Sequence, residues 1–142
     1  MSPLTALGTR LLTLTIGGTD YTAQVSNCRI ITGEADTDFV SFADAAAGGG
    51  REYKLAFTAV QDPAADTIWD LVWTQAGSTV AAVIMPNGGT VASETQPHFT
   101  GNVVITEPDG DLLGGEANAS TTAKFVFEAE WSYTAKPTRV TV

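Results

Sequence analysis

The chain has 142 residues and carries 16 Asp+Glu against 7 Lys+Arg, a formal net charge of −9. That balance argues against adhesion to nucleic acid, which requires Lys and Arg to replace phosphate counterions, and against attraction to an anionic membrane surface. With 44% hydrophobic and only 16% charged residues, the chain can bury a core, and its Thr, Val, aromatic and Gly content points to one β-rich domain over residues 1–142.

Residues 1–9 read as an N-terminal arm. Residues 10–16 follow as a strand, with Leu12, Leu14 and Ile16 on one face and Thr13 and Thr15 on the other. Gly17, Gly18, Thr19 and Asp20 signal a turn, after which residues 21–31 continue as β with a break near Ser26 and Asn27. Residues 33–38 form an acidic loop and residues 39–42 a short strand. The run Ala43, Asp44, Ala45, Ala46, Ala47, Gly48, Gly49 and Gly50 is too small and Gly-rich to pack, so it is expected to be the flexible tip of a long hairpin. The returning strand, Arg51–Val60, alternates, with Tyr53, Leu55, Phe57 and Ala59 on one face and Glu52, Lys54, Ala56 and Thr58 on the other.

One helix is signalled between Asp62 as cap, Pro63 at its first position and Gly77 at its end. Ala65, Trp69, Val72, Trp73 and Ala76 supply its apolar stripe, and Asp66 suits its first turn. Thr79–Met85 is a continuous apolar run, read as a buried strand. Residues 86–89 turn, residues 90–97 form a polar loop, residues 98–107 make another strand and residues 108–111 turn again. Residues 121–133 give the longest alternation. Phe125, Phe127, Ala129, Trp131 and Tyr133 share one face; Lys124, Val126, Glu128, Glu130 and Ser132 share the other. Residues 135–142 are a C-terminal extension, either a last strand or an arm. The expected fold is mainly β: an antiparallel β-sandwich or partly closed barrel with one α-helix.

Chemistry is sparse. Cys28 is the single cysteine, so no intrachain disulfide forms, and His98 is the single histidine. Both read as ordinary strand residues, and a nucleophile elbow, P-loop and dinucleotide fingerprint are absent. The turn carrying Glu107, Asp109 and Asp111, with Glu116 nearby, has oxygen ligands for Ca²⁺ but no EF-hand spacing, so a solvated turn is the better reading. Glu128 and Glu130 on one strand face read as a wet surface rather than an acid–base pair. Trp69, Trp73 and Trp131 have the spacing of core residues. The sequence thus points away from catalysis, with no cofactor and no metal expected. The opening Met1, Ser2, Pro3 lacks the basic start and apolar run of a secretion signal, and no apolar stretch is long enough to span a membrane, so synthesis in a cytosol is expected.

The order of these elements resembles the major tail tube proteins of long-tailed, siphovirus-like bacteriophages. The stretches that carry the resemblance are residues 51–62 (REYKLAFTAVQD), 64–87 (AADTIWDLVWTQAGSTVAAVIMPN), 99–107 (FTGNVVITE) and 124–133 (KFVFEAEWSY). The resemblance is one of layout and texture, without a diagnostic motif. It implies a structural virion protein whose hexameric rings stack into a tube through which DNA leaves the particle. Partners would be further copies of the chain and other tail proteins such as the tape measure and terminator. DNA would pass without specific binding, and the protein would reside in the host cytoplasm during assembly and in the virion tail thereafter. On this reading the tip Ala43, Asp44, Ala45, Ala46, Ala47, Gly48, Gly49, Gly50 contacts neighbouring subunits or rings, and the polar strand faces supply the lumen wall: Glu52, Thr58, Glu128, Glu130 and Ser132. Lys54 and Lys124 fall on the same faces and either pair with those glutamates or face elsewhere. Rival readings are a tail terminator or head–tail connector, a capsid decoration protein and a β-sandwich carbohydrate-binding module.

Overall fold

The computed structural model describes residues 7–8, 10–34, 39–46, 51–88 and 91–141. Its strands are β1 (Thr13–Ile16), β2 (Thr19–Asp20), β3 (Val25–Glu34), β4 (Arg51–Val60), β5 (Thr79–Met85), β6 (His98–Val104), β7 (Val126–Ser132) and β8 (Thr138–Val140). They form two antiparallel sheets, a five-stranded one in the order β2-β1-β5-β6-β8 and a three-stranded one in the order β3-β4-β7. The protein is therefore mainly β with a sandwich-like pairing of sheets. Among the described residues the strands do not close into a barrel, and an isolated bridge between Val103 and Tyr133 joins the two sheets.

Local chemistry explains the turns. Gly17 and Gly18 both take positive φ, 60° and 84°, and join Ile16 directly to its register partner Thr19. Two left-handed residues are what a tight two-residue hairpin needs if its twist is to match that of the strands. The expected break near Ser26 and Asn27 is a β-bulge: register with β4 shifts between Ser26 and Arg29, and Asn27 has φ 50°. A short 3-10 turn, Thr22–Gln24, precedes it.

The core lies between the sheets. Leu14, Ile16, Ala82, Ile84 and Val103 enter from one side and Leu55, Phe57, Ala59, Phe127, Ala129 and Trp131 from the other. Phe57 meets Trp131 edge to face at 4.9 Å and 89°, and Phe127 at 6.2 Å and 77°, the geometry the ring quadrupole favours. Alternation along β7 holds at every position, with Phe127, Ala129 and Trp131 buried and Val126, Glu128, Glu130 and Ser132 exposed.

Several expectations are corrected. Residues 39–42 are not a strand: Phe42–Ala46 form a five-residue α-helix, α1. Ala43, Asp44, Ala45 and Ala46 are thus helical rather than a loop, because Ala is the strongest helix former and, among the described residues, no strand pairs with this segment. Ala47, Gly48, Gly49 and Gly50 lie outside the described residues, as do residues 1–6 and 9 of the N-terminal arm and residue 142. The main helix, α2, is Ile68–Gln75, shorter than expected. Its cap is Thr67, whose Oγ1 accepts from Asp70 N at 3.2 Å. Asp62 instead closes a separate turn by accepting from Ala64 N at 3.0 Å, and Asp66 sits before the helix at φ 62°. The buried face of α2 is Ile68, Trp69 and Val72, while Ala65, Trp73 and Ala76 are exposed. Gly77 ends the helix as expected, at φ 94°. β5 is not buried on both sides. Only Ala82 and Ile84 are fully inside, because among the described residues no layer covers the outer face of the five-stranded sheet. The strand expected over residues 98–107 ends early, at Val104, although Ile105 still exchanges backbone hydrogen bonds with Gly77 and Ser78, and the one expected over residues 121–133 runs only from Val126 to Ser132, leaving Phe125 outside it and exposed. The C-terminal extension contributes β8, paired with β6.

Candidate functional site

β4 and β7 pair in a register that sets Lys54 opposite Ser132, Ala56 opposite Glu130 and Thr58 opposite Glu128. Directly opposed residues share a face. Glu52, Thr58, Glu128, Glu130 and Ser132 therefore lie on one face of the three-stranded sheet, the face turned away from the core. Ala56 is on this face too but only 1% exposed, its methyl lying low between two rows of longer side chains.

Lys54 stands among the carboxylates. Its Nζ lies 3.7 Å from Glu52 Oε1 and 3.9 Å from Glu130 Oε2. These are loose, solvent-screened pairs worth little stability, and they reduce the negative charge of the face without cancelling it. Lys124 is not part of this group. It precedes β7 and lines a different cavity with Glu116 and Phe125.

The acidic turn after β6 comes to the same place. A cavity of about 630 Å³ is bounded by Glu107, Asp109 and Asp111 on one side and by Glu128, Glu130 and Lys54 on the other. Five carboxylates and one ammonium thus line one open trough along β7. Trp131 ties the two walls together, its indole Nε1 donating to Thr106 O at 3.1 Å. Further along, Trp69 Nε1 donates to Leu112 O at 2.7 Å. Gln61 holds the next loop, exchanging bonds with Gly114 at 3.0 and 2.7 Å and donating to Val126 O at 3.0 Å. The trough is therefore built on anchored loops. Among the described residues no three His, Cys, Asp or Glu side chains are grouped so as to hold a metal ion. The sign of the trough suits repulsion of polyanions, and its open form suits a surface rather than a reaction centre.

On the opposite edge of the same sheet lies a second cavity, of about 550 Å³, between β3 and the five-stranded sheet. Leu12, Ile30, Tyr53, Ile84 and Phe99 form its apolar floor, and Cys28 is part of its wall. Burial pushes the Cys28 thiol up to about 11, against a partial opposing effect of Arg29. His98 opens β6 opposite Val140. Of the three tryptophans, Trp131 and Trp69 are buried as expected, whereas Trp73 is 57% exposed and stacks on Trp69 at 5.3 Å.

Sequence reasoning placed Glu128, Glu130, Ser132, Glu52 and Thr58 by alternation alone. It missed that Glu107, Asp109 and Asp111 join them, since nothing local links the turn to β7. No helix of the described residues is long and apolar enough to cross a membrane. No protein-family model matches this sequence, and no curated protein matches it.

Proposed function

We propose that the chain is a structural subunit of a phage-like tail tube, assembling through copies of itself into stacked rings whose lumen conducts DNA. The single observation that carries this reading is the acidic row on the outward face of β4 and β7, where Glu52, Glu128 and Glu130 gather with Lys54 between Glu52 and Glu130. A wall of that sign repels phosphate, whereas a Lys/Arg lining would hold it by counterion release. Two further features support self-assembly. β3 and β7 are the outer strands of their sheet, and open edges call for cover. Ahead of and within α1, Val40 and Phe42 are strongly exposed, Phe42 to 97%, which suits a contact made with a neighbour.

Negative-stain microscopy of the purified protein tests the reading. Rings or tubes are expected, formed without DNA. Tubes of a Glu128→Lys/Glu130→Lys variant are expected to retain duplex DNA at low salt, while wild-type tubes do not. A protein that stays monomeric at high concentration overturns the proposal.

A further inference from the structure

The seven cations of this acidic chain are unevenly spread. Three of them, Arg29, Lys136 and Arg139, border the apolar cavity between β3 and the five-stranded sheet. Among the described residues the ion pairs within 4.0 Å belong to Lys54. Arg29 and Arg139 donate instead to backbone carbonyls, Asn27 O at 2.9 Å and Glu94 O at 3.3 Å. The groove thus has an apolar floor and a positive rim whose arginines, among the described residues, bond to backbone carbonyls rather than to carboxylates. Its volume of about 550 Å³ is that of a ligand-sized site.

The chain also presents a segment of matching chemistry. Glu107, Asp109 and Asp111 are exposed, and Leu113, two residues on, is 71% exposed although Leu112 beside it packs on the core. The segment is held in place by Trp131 at Thr106 and by Trp69 at Leu112. It offers carboxylates for a cationic rim and an aliphatic side chain for an apolar floor. The groove and this segment lie at opposite outer strands of one sheet, β3 and β7. Two unlike surfaces on opposite sides of a subunit make a head-to-tail contact, which gives a ring when the rotation closes and a filament when it does not.

We infer that the groove rimmed by Arg29, Lys136 and Arg139 receives the acidic segment of residues 107–113 from a second copy of this chain, Leu113 entering the apolar floor. The identity of the partner rests on the self-assembly proposed above; the chemistry of the groove does not. Charge complementarity sets the orientation and register of such a contact, and the apolar floor supplies most of the burial.

Charge reversal tests it. Variant one carries Arg29→Glu and Arg139→Glu; variant two carries Asp109→Lys and Asp111→Lys. Each alone is expected to associate about tenfold or more weakly than wild type, because like charges then face each other across the contact. Mixed together they are expected to regain assembly in alternation, since each reversed surface meets its complement. In parallel, a synthetic peptide of residues 107–113 is added to wild-type and variant-one protein, and the alkylation rate of Cys28 in the groove wall is followed. Peptide is expected to slow labelling of wild type severalfold and leave variant one unaffected. Laurate serves as the competing occupant. Rings that form regardless of the reversals, with Cys28 unprotected by peptide, overturn the inference and leave the ring reading standing. A monomeric protein whose Cys28 the peptide protects overturns the ring reading and leaves the inference standing. Protection by laurate alone assigns the groove to a small anionic amphiphile and overturns the inference.

Discussion

Tyr133 carries a buried hydroxyl whose oxygen has no hydrogen-bond partner among the described residues. The side chain is 8% exposed and belongs to the core. Its ring lies against Gly101 of β6, where an added Cβ would fall 2.7 Å from Cδ1. Its backbone N–H donates to Tyr53 O at 2.9 Å, and its bridge to Val103 joins the sheets. Burial pushes the phenol's pKa well above its usual range, and the nearby Cys28 thiolate, when formed, would push it further. A buried polar group without a partner costs about 1–3 kcal/mol of desolvation. Tyr133→Phe removes that cost and gives up only the packing of one oxygen, so we expect a gain of about 1 kcal/mol. For a domain of this size the melting temperature should rise by about 3 °C. Urea unfolding followed by tryptophan fluorescence measures it, and the midpoint should rise with the slope unchanged. Gly101→Ala is the opposing control, because its methyl collides with the Tyr133 ring and overpacking costs about 1–3 kcal/mol. A Tyr133→Phe protein less stable than wild type by more than about 0.5 kcal/mol would refute the reasoning, since it would mean that the hydroxyl makes a bond worth keeping.

Two other outcomes are expected. Thr67→Ala should cost about 1–2 kcal/mol in the same unfolding assay, and Thr67→Ser much less, because the hydroxyl that caps α2 also donates to Asp62 O at 2.6 Å and joins the helix to the preceding turn. Stability should fall as pH rises from about 9 to about 11, because the Cys28 thiol has its ordinary value of 9.0 in the unfolded chain and one of about 11 in the fold. Below both values the thiol is protonated in both states and its contribution is intact. Between them only the unfolded chain ionises, which favours unfolding by about 1–2 kcal/mol once the thiol's partial exposure is allowed for. Cys28→Ala should flatten that part of the pH–stability curve.

Legibility in the sequence followed the range of the interactions involved. From Val126 to Ser132 β7 could be read residue by residue, because alternation against a core is a local signal with period two, whereas residues 121–125 continued the pattern without joining the strand. The outward row of Glu128, Glu130 and Ser132 came with it, and the alternation of β4 supplied Glu52 and Thr58. The start of α2 was misread because Asp62, Pro63 and Asp66 mimic a helix entry while Thr67 has the one side chain that reaches Asp70 N. Residues 39–42 looked like a strand because Phe, Val and Phe are strand formers. Val40 and Phe42 are exposed, and the alanines that follow settle the conformation as helix. The turn at Glu107, Asp109 and Asp111 and the strand at Glu128 and Glu130 become one site only through β7's place at the sheet edge. The cationic groove likewise requires β8 to return beside β6, bringing Arg139 near Arg29. Such meetings have no local signature.

The register between β4 and β7 also has a kinetic consequence. β3 and β4 are neighbours in the chain, but Gln61 and Val126, which close the far end of the β4–β7 pair, are 65 residues apart. During synthesis the sheet remains a two-stranded ribbon until residues 126–132 have emerged, and such ribbons are marginal in water. Phe57 lacks its Phe127 and Trp131 neighbours for that time, and closure of so long a loop is slow. The interval before β7 docks is therefore when the subunit is most prone to pair with the wrong strand.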